Sequence, residues 1–422
     1  MNAANEPLRA RLSATQAAAY DAIAAQSVQS GVQVYLVGGA VRDWLLGAPS
    51  IDDLDFAVDG DAIELARALR ATHGGELTEH AMFKTTRWLW RGESIDLAMT
   101  RSERYERPAA LPTVTAAPID IDLCRRDFTV NAIALRLSDS MVLDPFDGAS
   151  DITKRVLRGL HESSFVDDPT RLLRGARYAS RLGFAVDVQT RSWIDMGVRH
   201  LRELSGERIK YDFELIFQDR QPADALSLLR NWQVFSTLGI PAPEAQQLRT
   251  RFEQVRAAFA QAAFPTEGLE RDTGQLLAAA GWGALTYNLG QLPARRWMDR
   301  IAFEVDLRDA LIESGPLSTA APAMFSGAPS TQSVLLQGFG GLTLWLGYLF
   351  DSNLAKRAAM RDEWREWRWV RPHTTGEDLK ALGLPPGPRY KTLLDRLRAA
   401  RLDGDVSTAE QEHTLLQRLL RA

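Results

Sequence analysis

The stretch VYLVGGAVRDWLLGAPSIDDLDFAV, Val34 to Val58, decides the fold. It reads as strand, turn, helix, loop and strand. Val34 to Val37 is a short β-branched and aromatic run halted by Gly38-Gly39, and Ala40 to Leu46 has a helical pattern closed by Gly47 and Pro49. The glycine pair lets the backbone approach a polyanion, whose oxygens the N–H groups at the helix start and the guanidinium of Arg42 can hold. On the second strand Asp53 and Asp55 are two residues apart, which places both carboxylates on one face, about 6 to 7 Å apart. That is a bed for a divalent metal. A lone Gly-Gly turn is most often only a tight turn, and a lone Asp-x-Asp only a solvated strand end; their order within one unit makes the site. A dinucleotide fingerprint does not compete, because there is no G-x-G-x-x-G and the acidic pair arrives too early.

At 422 residues and 45% hydrophobic content the chain can bury more than one core, and two to four domains are expected. A net charge of -4 and a pI near 6.0 give no global nucleic-acid signal, so any RNA contact must come from local basic faces. The single cysteine, Cys124, excludes an intrachain disulfide framework and a multi-cysteine zinc site and fits a reducing cytosol. No basic segment followed by an apolar core opens the sequence, and no apolar run nears the ~20 residues that span a bilayer. The expectation is a cytoplasmic protein with no membrane partner. The six histidines are scattered and none stands in a His-Asp dipeptide, which leaves a metal-dependent phosphohydrolase unsupported.

Around the opening unit, Ser13 to Gln29 is patterned as a lead-in helix and Ala62 to Thr72 as an amphipathic one ended by Gly74-Gly75. Thr86 to Trp90 and Ser94 to Met99 flank Arg91-Gly92-Glu93 as a hairpin. The second of these strands, SIDLAM, carries Asp96. A lone aspartate in a core strand is costly unless paired or metal-bound, so Asp96 is a candidate third carboxylate. Three carboxylates suit two magnesium ions about 3.5 to 4 Å apart, and Mg2+ prefers oxygen ligands. Residues 100 to 122, with Pro108, Pro112 and Pro118, read as a loop. Asp144, Gly148 and Asp151 read as turn and capping residues. In FVDDPTRLLRGARYASRLGF, Phe165 to Phe184, Asp167-Asp168-Pro169 starts a helix on which Arg171, Arg174 and Arg177 recur every three residues.

GGAVRDWLLG followed by DLDFAV closely resembles the head signature of the class II tRNA nucleotidyltransferase and poly(A) polymerase family, with bacterial CCA-adding enzymes the nearest in pattern. RRDFTVNA, Arg125 to Ala132, matches the family's second motif, and VLDPFDGASDITKRVLRG, Val142 to Gly159, its hinge between head and neck. The resemblance implies a catalytic set of Asp53, Asp55 and Asp96, with metal on Asp53 and Asp55. It further implies nucleotide contacts from Gly38, Gly39, Arg42 and Arg126, and a flexible head element at 100 to 122. FVDDPTRLLRGAR resembles the nucleobase-selecting motif, with Asp167 where Glu is common; the base contacts map to Asp168 and Arg171, leaving Arg174 and Arg177 for the triphosphate. TGEDLKALGLPPGPRY, Thr375 to Tyr390, and the basic helix after it resemble the tail of the bacterial enzymes, and Gly387, Arg389 and Lys391 are candidate RNA contacts.

The implied fold is an α/β nucleotidyltransferase head, a small mixed sheet with helices, followed by an all-α neck, body and tail. The expected boundaries are 1–157 (catalytic head), 158–245 (neck, nucleobase selection), 246–360 (body) and 361–422 (tail, tRNA binding). Lys210 to Arg220, Ala223 to Leu238 and Glu244 to Ala262 are helical in pattern, and 314 to 331 is a loop rich in Ala, Pro, Ser and Gly. Trp345, Trp364, Trp367 and Trp369 are expected as core and interface anchors. The implied activity is template-independent addition of C and A from CTP and ATP to the tRNA 3' end, with Mg2+ and release of pyrophosphate. The alternatives are an A-adding or CC-adding specialist, a poly(A) polymerase of the same family, or a non-catalytic RNA-binding protein that kept the fold.

Overall fold

A computed structural model describes residues 7–262, 264–287 and 297–421. Chain entry is fixed by a helix, Ala14–Ser30, that starts in a reciprocal Ser13–Gln16 capping box and ends on left-handed Gly31. It delivers the chain to β1, Gln33–Val37, whose last four residues are buried. The Gly39–Leu45 helix follows, and then β2, Leu54–Asp59, returns antiparallel to β1 with Val37 opposite Asp55. Strand, turn, helix, strand is what the apolar runs and glycines between Val34 and Val58 indicated.

The sheet continues through β3 (Glu76–His80), β4 (Thr85–Trp90) and β5 (Glu93–Met99). Its seven strands run in the order β3-β4-β5-β2-β1-β8-β9, where β8 is Ala134–Arg136 and β9 Val142–Leu143. All neighbours are antiparallel except β2 and β5, which run parallel and put Asp55 directly beside Asp96. The β4–β5 turn has Arg91 and Gly92 both at positive φ, 51° and 82°, the requirement of a two-residue type I′ hairpin. Trp88 and Trp90 stack with centroids 5.2 Å apart and donate their indole N–H groups to Gly74 O and His73 O. Thus the strand indoles tie off the open end of the Ala62–His73 helix.

Three expectations change here. Residues 100–122 are not a bare loop: β6, Arg101–Arg104, and β7, Thr113–Ala116, form an antiparallel hairpin, and Ile119–Cys124 is helical. RSER has no apolar residue to mark a strand, and the alternation in TVTA is only four residues long in a proline-bearing stretch. The neck is not purely helical, since Val156–Leu157 and Ala185–Val186 make a short parallel pair. Residues 314–319 belong to the Val305–Thr319 helix despite Pro316, and the rest of that presumed loop holds a 3-10 turn, Pro322–Phe325, and the start of the Pro329–Leu336 helix.

The described chain falls into two compact units: residues up to Asp212 with Arg220–Leu238, and Phe213–Asp219 with residues from Gly239 on. A division into four at 157, 245 and 360 stands as our proposal for how roles are apportioned within them. In the first unit the Thr170–Leu182 helix closes on the head, where Gly175 is the point of nearest approach. A Cβ there would lie 2.9 Å from Phe128 Cζ, and Phe128 is itself wholly buried between Phe165 and Tyr178. In the second unit Trp282 packs on Phe213, Phe217 and Trp297, and the Gly341–Phe350 helix is buried from Leu342 onward. The final helices, Gly376–Ala381, Pro388–Leu402 and Ala409–Arg421, share a core of Leu379, Leu393, Leu397 and Leu416. Trp345 is buried as expected of an anchor, whereas Trp369 stands 65% exposed. Among the described residues no single helix is long and apolar enough to cross a membrane.

Gly175→Val should therefore destabilise the first unit by about 1–3 kcal/mol, because the added methyls overlap a ring that has no room to retreat. Thermal unfolding should show a lower melting temperature for Gly175→Val, and an unchanged one would mean the helix can slide off Phe128.

Candidate active site

The first unit contains a cleft of about 580 Å³. One wall comes from the end of β1, from β2 and from the segment 125–131; the other comes from the Thr170–Leu182 and Gly206–Gln218 helices; Glu103 and Tyr105 of the hairpin close a side. Gly38 turns the chain at φ 70° and ψ −129°, a conformation open to glycine and strained for other residues. A Cβ on Gly38 would lie 3.4 Å from a terminal nitrogen of Arg126 and 4.0 Å from Asp55 Oδ2. The turn thus brings bare backbone against a guanidinium and a carboxylate together.

Asp55 keeps an open face to the cleft, yet surrounding protein withdraws much of its water. That desolvation, with the charges of Asp96 and Asp53 and against the opposing pull of Arg126, pushes its carboxyl up to about 6. Asp53 is exposed and lies one residue before β2 rather than in it. Asp96 is not the buried, unpartnered aspartate that its apolar strand suggested: Arg87 donates to it through Nε and a terminal nitrogen at 2.8 and 2.9 Å, in a pair that is roughly half exposed. No group of three or more His, Cys, Asp or Glu side chains among the described residues is arranged to hold a metal ion. The expected three-carboxylate bed is therefore a parallel-strand pair, Asp55 and Asp96, with Asp53 beside it in sequence.

RRDFTVNA ties this floor to the helices. Asp122 accepts from Arg125 at 2.8 Å and from Arg126 at 3.0 Å, and Glu103 accepts from Arg101 and Arg125. Burial alone would raise the Asp122 carboxyl; the two arginines outweigh it and hold it below the usual range. Arg126 Nε is buried without a hydrogen-bond partner, a donor left over inside the cleft wall. Asp127 accepts from Arg174 at 2.7 and 2.9 Å and from Asn131 at 3.0 Å. Burial pushes the Asp127 carboxyl up, but Arg174 and Asn131 pull it below its ordinary value, and Asp127 in turn raises Arg174.

Asp168, Arg171 and Arg174 all line the cleft, whereas Arg42 and Arg177 are not part of its lining. Arg42 is 2% exposed and donates to Asp43 and to Asn131 Oδ1 at 2.7 Å, so its guanidinium braces the wall from behind rather than meeting a phosphate. Arg171 is 5% exposed and donates to Ser164 Oγ at 2.7 Å and to the Arg125 carbonyl at 2.6 Å. Asp168 Oδ1 accepts from the Thr170 N–H and hydroxyl and, at 2.7 Å, from Arg208. Gly387, Arg389 and Lys391 lie in the second unit, exposed at the start of the Pro388–Leu402 helix.

The sequence alone did not single out Arg208, Tyr211 and Asp212, which line the cleft from one helix. Their spacing of three and four was the available signal, hidden in the ordinary amphipathic pattern ERIKYDFELIF. Asp212 is 7% exposed, and burial together with Asp168, against Arg174, pushes its carboxyl up to about 7.

A glycine turn, paired strand carboxylates and an arginine-rich facing helix define the head as a nucleotidyltransferase domain in architecture. Residues 34–158 match the poly A polymerase head domain family. The chain is 31% identical to an A-adding tRNA nucleotidyltransferase of Geobacter sulfurreducens over 92% of its length, spanning 45% of that relative. It is 29% identical to a CC-adding tRNA nucleotidyltransferase of Deinococcus radiodurans over 92% of the chain and 90% of the relative. A solved CCA-adding enzyme in an apo form superposes with a TM-score of 0.79 at 26% identity, covering 98% of this chain and 97% of the other. The chain belongs to the tRNA nucleotidyltransferase and poly(A) polymerase family.

A pH prediction follows from the two raised carboxyls. Each has a folded-state value above its unfolded one, so its contribution to stability is complete below about pH 4 and is lost as pH rises through about 6 for Asp55 and about 7 for Asp212. In chelator-containing buffer, Asp55→Asn and Asp212→Asn should each gain melting temperature relative to the parent as pH goes from 5 to 8, by roughly 1–4 °C. A difference that stays flat across that window would mean these carboxyls ionise normally.

Proposed function

We propose that the protein adds C and A residues from CTP and ATP to the 3' end of tRNA without a template, releasing pyrophosphate. The observation that carries this reading is the meeting, in one cleft, of Asp55 beneath the Gly38 turn with Asp168 and Arg171 on the facing helix. Cytosine and adenine both present an exocyclic amino donor beside a ring-nitrogen acceptor, and uracil and guanine reverse that order. A carboxylate accepts and a guanidinium donates, so Asp168 with Arg171 satisfies C or A and leaves mispaired groups with U or G. Arg126 and Arg174 supply positive charge toward the triphosphate, and the bare backbone at Gly38-Gly39 lets phosphate oxygens come close.

Asp53 and Asp55 suit a divalent cation. Their donors are hard oxygens, those of Asp55 lining the cleft and Asp53 exposed two residues before it, and the burial and like charge that raise Asp55 are what a cation relieves. Bound Mg2+ would polarise the acceptor hydroxyl and neutralise charge on the leaving pyrophosphate. The chain's own part is to hold the nucleotide base and phosphates in fixed register with those carboxylates. Addition of A alone is the second reading, favoured by the likeness to the A-adding relative. Incubation of the purified protein with tRNA ending at the discriminator base, at C or at CC, with each NTP singly, decides the product. Growth of the CC-ended RNA alone, with ATP alone, would replace CCA addition by A addition, and no incorporation on any of the three would leave an RNA-binding protein.

Asp55→Ala should abolish incorporation, a loss of at least about a thousandfold, while RNA binding by gel shift persists. Near-parental turnover would remove Asp55 from the reaction. Asp168→Ala or Arg171→Ala should lower the ratio of CTP to UTP incorporation on one tRNA, the lost contact costing about 1–3 kcal/mol. Arg126→Ala should slow all nucleotides alike and keep the ratio. Survival of the ratio in the first two variants would place base choice elsewhere.

A further inference from the structure

Among the described residues only two aromatic side chains are classed as exposed, Tyr211 and Trp369, each at 65%. Tyr211 is the one that lines the cleft. The cleft's other two tyrosines are held in place: the Tyr105 hydroxyl donates to Glu103 at 2.9 Å, and the Tyr178 ring packs edge-on to Phe128 with the guanidinium groups of Arg42 and Arg174 near its face. Tyr211 has no ring–ring or cation–π contact among the described residues, so its face is open to the cleft.

Its place in the cleft follows from its helix. On the same helix, one turn earlier, Arg208 grips Asp168 at the base-reading end and donates to the Ala109 carbonyl at 3.0 Å. Tyr211 shares the lining of the cleft with Asp55. Arg87 holds Asp96, which is paired in register with Asp55. The ring therefore lines the same cleft as Asp168 and Arg171, proposed to read the incoming base, and as Asp55, to which an acceptor hydroxyl must come. An aromatic face left in water at that place is matched chemically by the flat face of a nucleobase.

We propose that Tyr211 is a stacking platform for the 3'-terminal nucleobase of the RNA acceptor, setting the terminal hydroxyl toward Asp55. This rests on the nucleotidyl-transfer reading above. On that reading the incoming base is engaged at Asp168 and Arg171, which leaves the exposed ring of Tyr211 for the acceptor end. Stacking tolerates every base, as an end whose last residue changes at each addition requires.

The test compares Tyr211→Ala and Tyr211→Phe with the parent protein. An RNA acceptor carrying 2-aminopurine as its last residue should lose fluorescence on binding the parent and Tyr211→Phe, and lose much less on binding Tyr211→Ala. This readout needs no turnover, so it stands apart from whether the protein transfers nucleotides. In incorporation assays Tyr211→Ala should raise KM for the RNA roughly 5- to 100-fold, the range for loss of one base–aromatic stack, with CTP and ATP binding to the RNA-free protein unchanged. Tyr211→Phe should keep the parental KM. Equal quenching in all three proteins, or loss of CTP and ATP binding in Tyr211→Ala with KM for RNA unchanged, would overturn the proposal, the latter by placing the ring against the incoming nucleotide.

Discussion

The ion pair between Asp127 and Arg174 is the interaction on which the cleft depends. It joins the RRDF segment of the head to the middle of the Thr170–Leu182 helix, and both partners are shifted toward their charged forms. From it a chain of donors runs on through Asn131 to Arg42 and Asp43. One turn earlier on the helix, Arg171 reaches back to the Arg125 carbonyl, and Gly175 lets the same helix settle on Phe128. Loss of either charged partner leaves the other in a site built for a pair, a heavier penalty than the modest net worth of the pair itself. The helix wall that carries Asp168 and Arg171 and the floor that carries the carboxylates are therefore one assembly.

That assembly is electrostatically unfinished at two points. At Asp55 burial is joined by two further carboxylates against two arginines, and Asp55 responds by holding its proton to about pH 6. Around Asp212 a second carboxylate, Asp168, faces Arg174 and Arg208, and Asp212 responds in the same direction. Folding alone would not favour either concentration of negative charge, and functional sites are where such shifts gather. On the function proposed above, a cation would relieve the first, and the amino group of a bound base at Asp168 would withdraw negative potential that Asp212 otherwise feels.

How much of this was legible in the sequence follows the range of the interactions. The β1–turn–helix–β2 unit was readable because its signals, Gly38-Gly39 and two apolar strands, act within a few residues. The β4–β5 turn was readable for the same reason, since Arg91-Gly92 specifies its own geometry. Arg42 looked like a phosphate ligand because its decisive partner, Asn131, lies 89 residues away, and no local pattern reports that distance. The hairpin at 101–116 was missed because its polar strands are held by charge: Glu103 and Asp122 gather Arg101, Arg125 and Arg126 around it. Asp96 was read as a core-strand aspartate and hence a third carboxylate, but it is about half exposed and Arg87 on the neighbouring strand pairs with it.

Base selection by two side chains demands that neither can turn. Asp168 could swing freely at the start of a helix, and in this chain it does not, since Thr170 and Arg208 fix Oδ1 from opposite sides. Arg171 is likewise held by Ser164 and a backbone carbonyl before any base arrives. Those bonds consume part of each group's hydrogen-bonding capacity, and the remainder is aimed. If Asp168 accepts from the base amino group, as proposed above, a carboxylate so arrested would not reorient for uracil, and the mismatch would be felt as an unpaired polar group in a confined cleft. Of the residues that immobilise the pair, Arg125 and Thr170 lie within motifs legible in the sequence and Ser164 stands just before one, and only Arg208 comes from the Gly206–Gln218 helix that the sequence left unmarked.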